Sequence, residues 1–196
     1  IVVATTETVV RACAAPPAER KDLLPGVERW LREVMAATPD IALAYLADAR
    51  GVCIVSTSPN MVGLDYAKTR DYMRRALAGE NVVSDLAVGI TTREPGIFMA
   101  GPVRDPGGRL AGVAVLKLKG AILDRVCQDV SRQIAQGNAV VVDGNEIIIW
   151  HQDPKRLYRS LGTLSPEALG RIDARYAGDV ALVGFAVRSR LDLRVG

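Results

Sequence analysis

The stretch TRDYMRRALAG, residues 69–79, is amphipathic and begins with side chains that can bind a small anion. The Arg70 guanidinium is a planar fork of donors that can hold a carboxylate through two hydrogen bonds. At the first position of a helix, Arg70 would add to the positive field of the free backbone N–H groups. Tyr72 and Tyr66 offer hydroxyls to the same anion. The stretch predicts an anion-binding helix start, with a solvated surface as the alternative for each residue alone.

A second candidate is the lysine within the apolar stretch GVAVLKLKG, residues 112–120. Alternate side chains of a strand share a face, so Lys117 lies on the same side as Val113 and Val115. Because an unpaired buried ammonium is costly, a buried Lys117 requires a protein or ligand carboxylate. The alternative is a lysine at the strand end that reaches water.

The segment GITTREPG, residues 89–96, adds the hydroxyls of Thr91 and Thr92 and several loop N–H groups. A mixed antiparallel sheet could bring this segment, the helix start and the lysine strand into one cleft.

The elements that must position these residues follow from periodicity. Residues 1–38 are expected to be helical, with a break at Pro16 and Pro17. The second half carries one apolar stripe at helical spacing, formed by Val27, Trp30, Leu31, Val34 and Met35. A short helix is predicted over residues 70–78, with Thr69 as its N-cap and Gly79 after its end.

Strand patterns fill most of the remaining chain. IALAYLAD and VCIVSTS flank a short turn at Arg50 and Gly51, and GIFMAGPVR and RLAGVAVLKLKG flank the turn DPGG. A further helix, AILDRVCQDVSRQIAQG, follows. The layout of IALAYLADARGVCIVSTSP then recurs in NAVVVDGNEIIIWHQDP, which indicates two related α+β modules. We therefore expect a helical segment at 1–38, a first module at 39–137 and a second, smaller one at 138–196.

Composition narrows the function classes. The chain has 196 residues, a net charge of +3 and 5% aromatic residues, without the clustered basic stripe that nucleic-acid binding needs. Nucleophile, phosphate-binding and metalloprotease motifs are absent from the sequence, so no catalytic residue, cofactor or metal is predicted. His151 is expected to have a structural or surface role. The three cysteines, Cys13, Cys53 and Cys127, lack metal-ligand spacing and leave open whether two of them form a bridge.

These segments together resemble a known family. The run from GVCIVSTSPNMVGLDYAKTRDYMRRALAG through GITTREPGIFMAGPVR to RLAGVAVLKL is similar to the membrane-distal half of double Cache (PDC-like) sensor domains. VVVDGNEIIIWHQDPKRLYRSLGTL is similar to their second half. Within the family, the pattern is nearest to that of the C4-dicarboxylate-sensing bacterial histidine kinases.

The resemblance implies an α+β fold with a long N-terminal helix and two tandem Cache/PAS-like modules, each built on a central antiparallel sheet. It implies an extracytoplasmic, periplasmic domain of an inner-membrane receptor, lying between two transmembrane helices, and a homodimer formed through the N-terminal helix. The chain is accordingly expected to be a fragment of a longer protein. The ligand-binding residues that the resemblance assigns are Arg70, Tyr72, Thr91, Thr92, Phe98 and Lys117, and Tyr66 joins them from the residue analysis.

The expected ligand is a mono- or dicarboxylate, bound by the distal module of a sensor histidine kinase in a two-component system. The family's dicarboxylate sensors often carry a tyrosine pair where this chain has Ile97 and Phe98, so one hydroxyl is missing. An amino acid is less favoured, since a suitably placed Trp and Asp are not evident. The alternatives are the same fold on a chemoreceptor or nucleotide cyclase, a ligand-free dimerisation domain and, least favoured, a small enzyme.

Overall fold

The computed structural model describes residues 2–88, 95–133, 140–142, 148–156, 159–167 and 169–170. A short 3-10 helix, Val2–Thr5, precedes helices α1 (Glu7–Ala14) and α2 (Pro17–Ala37). The predicted break at Pro16 and Pro17 is confirmed. Proline is favoured in the first turn of a helix, and Pro17 is the first residue of α2.

The interruption between the two helices is held by an arginine side chain. The Arg20 guanidinium donates to the carbonyl oxygens of Ala12, Cys13 and Ala15, at 3.0–3.3 Å. These carbonyls lie at the end of α1, where no further turn of helix follows whose N–H groups could donate to them. Arg20 of α2 therefore satisfies the end of α1 and fixes the two helices to each other.

Five strands form the main sheet: β1 (Ile41–Asp48), β2 (Cys53–Ser56), β3 (Val82–Val88), β4 (Pro95–Arg104) and β5 (Leu110–Lys119). Their order in the sheet is β2-β1-β5-β4-β3. The β1–β2, β1–β5 and β4–β5 pairs are antiparallel. Helix α3 (Asp71–Leu77) connects the β1–β2 hairpin to β3. The predicted α+β class, with N-terminal helices followed by an antiparallel sheet, is confirmed.

The strands bury both of their faces. Ala44, Leu46, Ala114 and Leu116 pack on the helix side, with Val27 and Leu31 of α2. The partly buried Trp30, Val34 and Met35 lie against the same cluster, so the predicted stripe of α2 faces the sheet. We call the opposite face of the sheet, which carries several of the ligand-binding residues predicted from the sequence, the ligand side. Its apolar residues come from all five strands, from α3 and from the segment between β2 and α3: Leu43, Tyr45, Ala47, Cys53, Met61, Tyr66, Tyr72, Met73, Ala76, Val82, Phe98, Ala100, Val113 and Val115.

The predicted start of the short helix is wrong by one residue. Arg70, and not Thr69, occupies the N-cap position, with extended backbone at φ −127° and ψ 122°, and α3 begins at Asp71. The reason is that the Tyr66 carbonyl accepts the N–H groups of both Thr69 and Arg70, which keeps Arg70 in the turn that precedes the helix. At the other end, α3 stops at Leu77, one residue before the predicted end, and Gly79 follows the C-cap residue Ala78 as predicted, with a φ of +100°.

The chain divides into two compact units, Ile1–Ala87 with Gly96–Lys119, and Val88–Pro95 with Gly120–Gly196. In the second unit, α4 (Ile122–Gln133) precedes an antiparallel pair, β6 (Val140–Val142) and β7 (Ile148–His151). A 3-10 helix, Pro154–Arg156, follows. The predicted module boundaries at 38/39 and 137/138 stay predictions. Within the described ranges, no helix has both the length and the apolar composition needed to cross a membrane.

Candidate functional site

Six side chains on the ligand side form the candidate site, and we call them the tyrosine–cation cluster. Three tyrosines, one phenylalanine and two cations make it up: Tyr45, Tyr66, Arg70, Tyr72, Phe98 and Lys117. Five of the six were predicted from the sequence. All six lie in the first unit of the chain.

The loop before α3 places Tyr66 and Arg70. The Asp65 carboxylate accepts the N–H groups of Ala67 and Lys68, which turns the chain. The Tyr66 N–H donates to the Gly51 carbonyl, so the loop lies directly on the β1–β2 turn. Gly51 has a φ of +86°, and a Cβ there would lie 2.7 Å from the Ala67 Cβ. The glycine therefore permits the close approach that fixes the start of α3.

Helix α3 then turns Tyr72 inward onto β1. The Tyr72 hydroxyl lies 3.2 Å from that of Tyr45, and the two form a buried hydrogen bond. The Tyr45 ring also packs against Tyr66, with ring centroids 5.2 Å apart. On its other side, Tyr72 stacks on Phe98, with centroids 4.8 Å apart and ring planes 9° from parallel.

The sheet places Phe98 and Lys117 side by side. They are directly paired across β4 and β5, and the Lys117 Nζ lies 6.0 Å from the Phe98 ring centroid, at the outer limit of a cation–π contact. The Phe98 N–H donates to the Ser84 Oγ of β3, at 2.9 Å. A Cβ at Gly96 would overlap the Lys117 side chain, so this glycine leaves the space that the lysine stem occupies.

Both cations are buried, which decides between the alternatives that the sequence left open. Arg70 is 4% exposed and Lys117 is 1% exposed, so the solvated-surface alternatives are wrong. The predicted face of Lys117 is confirmed, because Val113 and Val115 lie on the same side of β5. Lys117 thus lies beside the Tyr72–Phe98 stack, and Arg70 directly precedes the helix that carries Tyr72.

Burial also keeps the tyrosines protonated. It raises the pKa of Tyr72 to about 12, although the nearby Arg70 charge and the Tyr45 hydrogen bond lower it. Burial, together with Tyr72, raises the pKa of Tyr45 well above its usual value. Both phenols are therefore neutral hydrogen-bond donors at physiological pH. Burial likewise raises the pKa of the Cys53 thiol to about 12.

We expect the domain to lose stability in alkaline solution. Tyr72 and Cys53 bind their protons more tightly in the folded state than in the unfolded chain, where each group has its ordinary pKa, 10.0 for the phenol and 9.0 for the thiol. Their contribution to the free energy of unfolding is fully present below pH 9 and is lost as the pH rises toward 12. The free energy of unfolding then falls by about 1.4 kcal/mol per pH unit for each group. Urea unfolding between pH 8 and 10.5 measures this loss. Cys53→Ala should flatten the profile between pH 9 and 10, and a level profile for the unchanged protein would contradict the expectation.

Other sequence-based candidates fall elsewhere. Thr91 and Thr92 lie outside the described residues, so their predicted place in the site stays a prediction. Cys13 packs on the helix side and Cys53 on the ligand side, and all three cysteines are free thiols. His151 is on β7, where its Nδ1 accepts the Asp153 N–H. No group of three or more His, Cys, Asp or Glu side chains in the described part of the chain is placed to hold a metal ion.

Tyr45 is the member of the cluster that sequence reasoning missed. Its signal was present: Tyr45 is the aromatic residue of the apolar strand IALAYLAD. Alternation places it on the same face as Leu43 and Ala47. Its role follows only from the pairing of β1 with β5, which sets Leu43 opposite Lys117 and Tyr45 opposite Val115.

Comparison with known proteins shows which sensor domains the chain resembles in sequence and in fold. No family model matches the chain. The C4-dicarboxylate transport sensor protein DctB of Rhizobium meliloti (strain 1021) is 35% identical over 101 residues, which cover 48% of this chain and 16% of that protein. The sensor domain of the V. cholerae histidine kinase DctB matches with a TM-score of 0.72 and 24% identity, over 89% of this chain and 65% of that one.

A chemoreceptor shares the fold as well. The ligand-binding domain of Pseudomonas fluorescens CtaA, solved in complex with L-valine, matches with a TM-score of 0.53 and 22% identity, over 82% of this chain and 66% of that one. The predicted resemblance is therefore confirmed at the level of the domain: the chain has the fold of a Cache (PDC-like) sensor domain and is similar to those of C4-dicarboxylate-sensing kinases.

Proposed function

We propose that this chain, a sensor domain of the Cache (PDC-like) type, binds a small carboxylate on the ligand side of its five-stranded sheet. The observation that carries the proposal is the burial of Arg70 and Lys117 beside two protonated tyrosines. Cationic and hydroxyl donors on one face are the groups that a carboxylate accepts hydrogen bonds from. The sequence similarity to a C4-dicarboxylate sensor supports the same ligand class.

The arrangement of the donors supports an anion with one or two carboxylate groups. The Arg70 guanidinium can bind one carboxylate through two parallel hydrogen bonds, whereas the Lys117 ammonium is a compact charge that suits a single carboxylate oxygen. The Tyr72–Phe98 stack, with Lys117 beside it, would supply an apolar surface for the carbon atoms of the ligand. Away from water, each hydrogen bond to a charged group is stronger than it is at a surface.

Signalling would follow from a difference in affinity between two conformations. A carboxylate that binds one arrangement of α3, β4 and β5 more tightly shifts the population toward that arrangement. We propose that the full-length protein is an inner-membrane sensor histidine kinase with this domain in the periplasm between transmembrane helices. Helices α1 and α2 would form the homodimer contact. The CtaA match favours a chemoreceptor as the second candidate for the whole protein.

Thermal-shift and calorimetric titrations test the proposal. The panel contains succinate, fumarate and malate as dicarboxylates, acetate and propionate as monocarboxylates, L-valine as an amino acid and succinamide as a neutral analogue of succinate. We expect at least one carboxylate to raise the melting temperature and succinamide to have no effect. A flat response to every carboxylate would reject the proposal in favour of a ligand-free domain, and a response to L-valine alone would replace the ligand class.

Arg70→Gln should weaken binding of the active carboxylate by about 10- to 100-fold, since hydrogen bonds to charged groups contribute about 1.5–3 kcal/mol. Arg75→Gln on the same helix is the matched control, because Arg75 is exposed and forms an ion pair with Glu80. Isothermal titration calorimetry of both variants measures the difference. Equal affinities for the two variants would remove Arg70 from the site.

A further inference from the structure

Two buried tyrosine hydroxyls face each other on the ligand side. The hydroxyl oxygens of Tyr45 and Tyr72 are 3.2 Å apart, and the two residues are 0% and 5% exposed. A hydroxyl has one proton to donate and two lone pairs that accept. In a hydrogen bond between two hydroxyls, one hydroxyl donates its proton and the other accepts. The proton of the accepting hydroxyl therefore needs a further acceptor.

The proton that is left over has no acceptor among the residues that the structure describes, where the two hydroxyls are each other's hydrogen-bond partners. A buried donor without an acceptor is destabilising, so such groups are normally satisfied by protein, water or ligand. The pair can be oriented in two ways, with the surplus proton on Tyr45 or on Tyr72. A bound acceptor would select one of them.

The position of Arg70 decides which orientation an anion selects. Its charge acts on Tyr72, the phenol at the start of α3, and lowers the pKa of that group. An anion attracted to Arg70 therefore meets the Tyr72 hydroxyl and accepts a hydrogen bond from it. The Tyr72 oxygen is then left to accept a hydrogen bond from the Tyr45 hydroxyl.

Resting on the proposed carboxylate binding, we infer that Tyr45 is a positioning residue. Its hydroxyl donates a hydrogen bond to the Tyr72 oxygen and so orients the Tyr72 hydroxyl to donate to the bound carboxylate. Tyr45 acts only through Tyr72, since β1 holds it beneath that residue, with its ring against Tyr66. At 3.2 Å either hydroxyl can donate to the other, so the geometry accommodates a bond that Tyr45 donates.

The test is a double-mutant cycle with succinate and acetate as probes. Binding is measured by calorimetry for the unchanged domain, Tyr45→Phe, Tyr72→Phe and the double variant. We expect Tyr45→Phe to weaken binding about tenfold, the effect of one hydrogen bond, and Tyr72→Phe to weaken it further. In the Tyr72→Phe background, Tyr45→Phe should have no additional effect, because there is no longer a hydroxyl for Tyr45 to orient.

A packing role for Tyr45 predicts a different result, namely the same loss of affinity in both backgrounds. That result overturns the inference, as does unchanged binding by Tyr45→Phe or by Tyr72→Phe. All four proteins are compared at a temperature at which each is folded. Proton NMR of the unchanged domain with succinate is a second measurement. The hydroxyl protons of Tyr45 and Tyr72 should both be protected from exchange with water, and the absence of these two signals counts against the inference. Failure of the unchanged domain to bind any carboxylate rejects the proposed function itself, and the inference with it.

Discussion

Replacing Lys117 with methionine will abolish carboxylate binding. Methionine keeps a flexible stem of similar volume but removes the ammonium. Loss of one member of a buried, hydrogen-bonded charge pair costs about 2–5 kcal/mol, which corresponds to an affinity reduced by about 30-fold or more. The shift in melting temperature with succinate, or with another active carboxylate, should therefore disappear at millimolar concentrations.

The matched control for this experiment lies two residues along the same strand. Lys119 has the same side-chain chemistry and the same strand parity, but it is exposed. Lys119→Met should bind as the unchanged domain does. Circular dichroism of both ligand-free variants reports whether the fold is kept. If Lys117→Met is folded and still responds to succinate, the ammonium has no part in binding and the proposed site is wrong.

A second large effect is expected from Gly112→Ala, this time on stability. Gly112 lies in the central strand β5, opposite Asp48 of β1 and Val103 of β4. A Cβ at this position would overlap the Ala47 carbonyl oxygen and would lie 3.0 Å from the Cys13 sulfur. The oxygen belongs to the backbone of a paired strand, which cannot move without breaking the sheet. We expect the free energy of unfolding to fall by about 3 kcal/mol and the melting temperature to fall by about 10 °C.

Gly120→Ala is the control, since no atom lies within 4 Å of a Cβ at that position. Chemical and thermal unfolding of the two variants provide the comparison. Cys13→Ala should fail to rescue Gly112→Ala, because the sulfur is not the atom that blocks the new methyl group. Rescue by Cys13→Ala, or a loss below about 1 kcal/mol, would mean that β5 adapts and that its spacing from β1 is not rigid.

The helices and the faces of the strands could be predicted because their signals are local. Pro17 and the stripe of Val27 and Leu31 mark α2, and alternation alone placed Lys117 with Val113 and Val115. The start of α3 could not be predicted in the same way. Thr69 has the better N-cap side chain, but the contact of the Tyr66 loop with Gly51 moves the cap to Arg70.

The sequence by itself determined that a lysine lies on a buried face and that an arginine and a tyrosine stand at a helix start. Both follow from the periods of strand and helix, which neighbouring residues set. The tertiary structure decided which of these groups meet. Any strand edge can hydrogen-bond to any other, so local patterns do not fix the order β2-β1-β5-β4-β3. That order brings Tyr45 of β1 under Tyr72 and onto the face of Lys117, because packing on both sides of the sheet is satisfied in that arrangement.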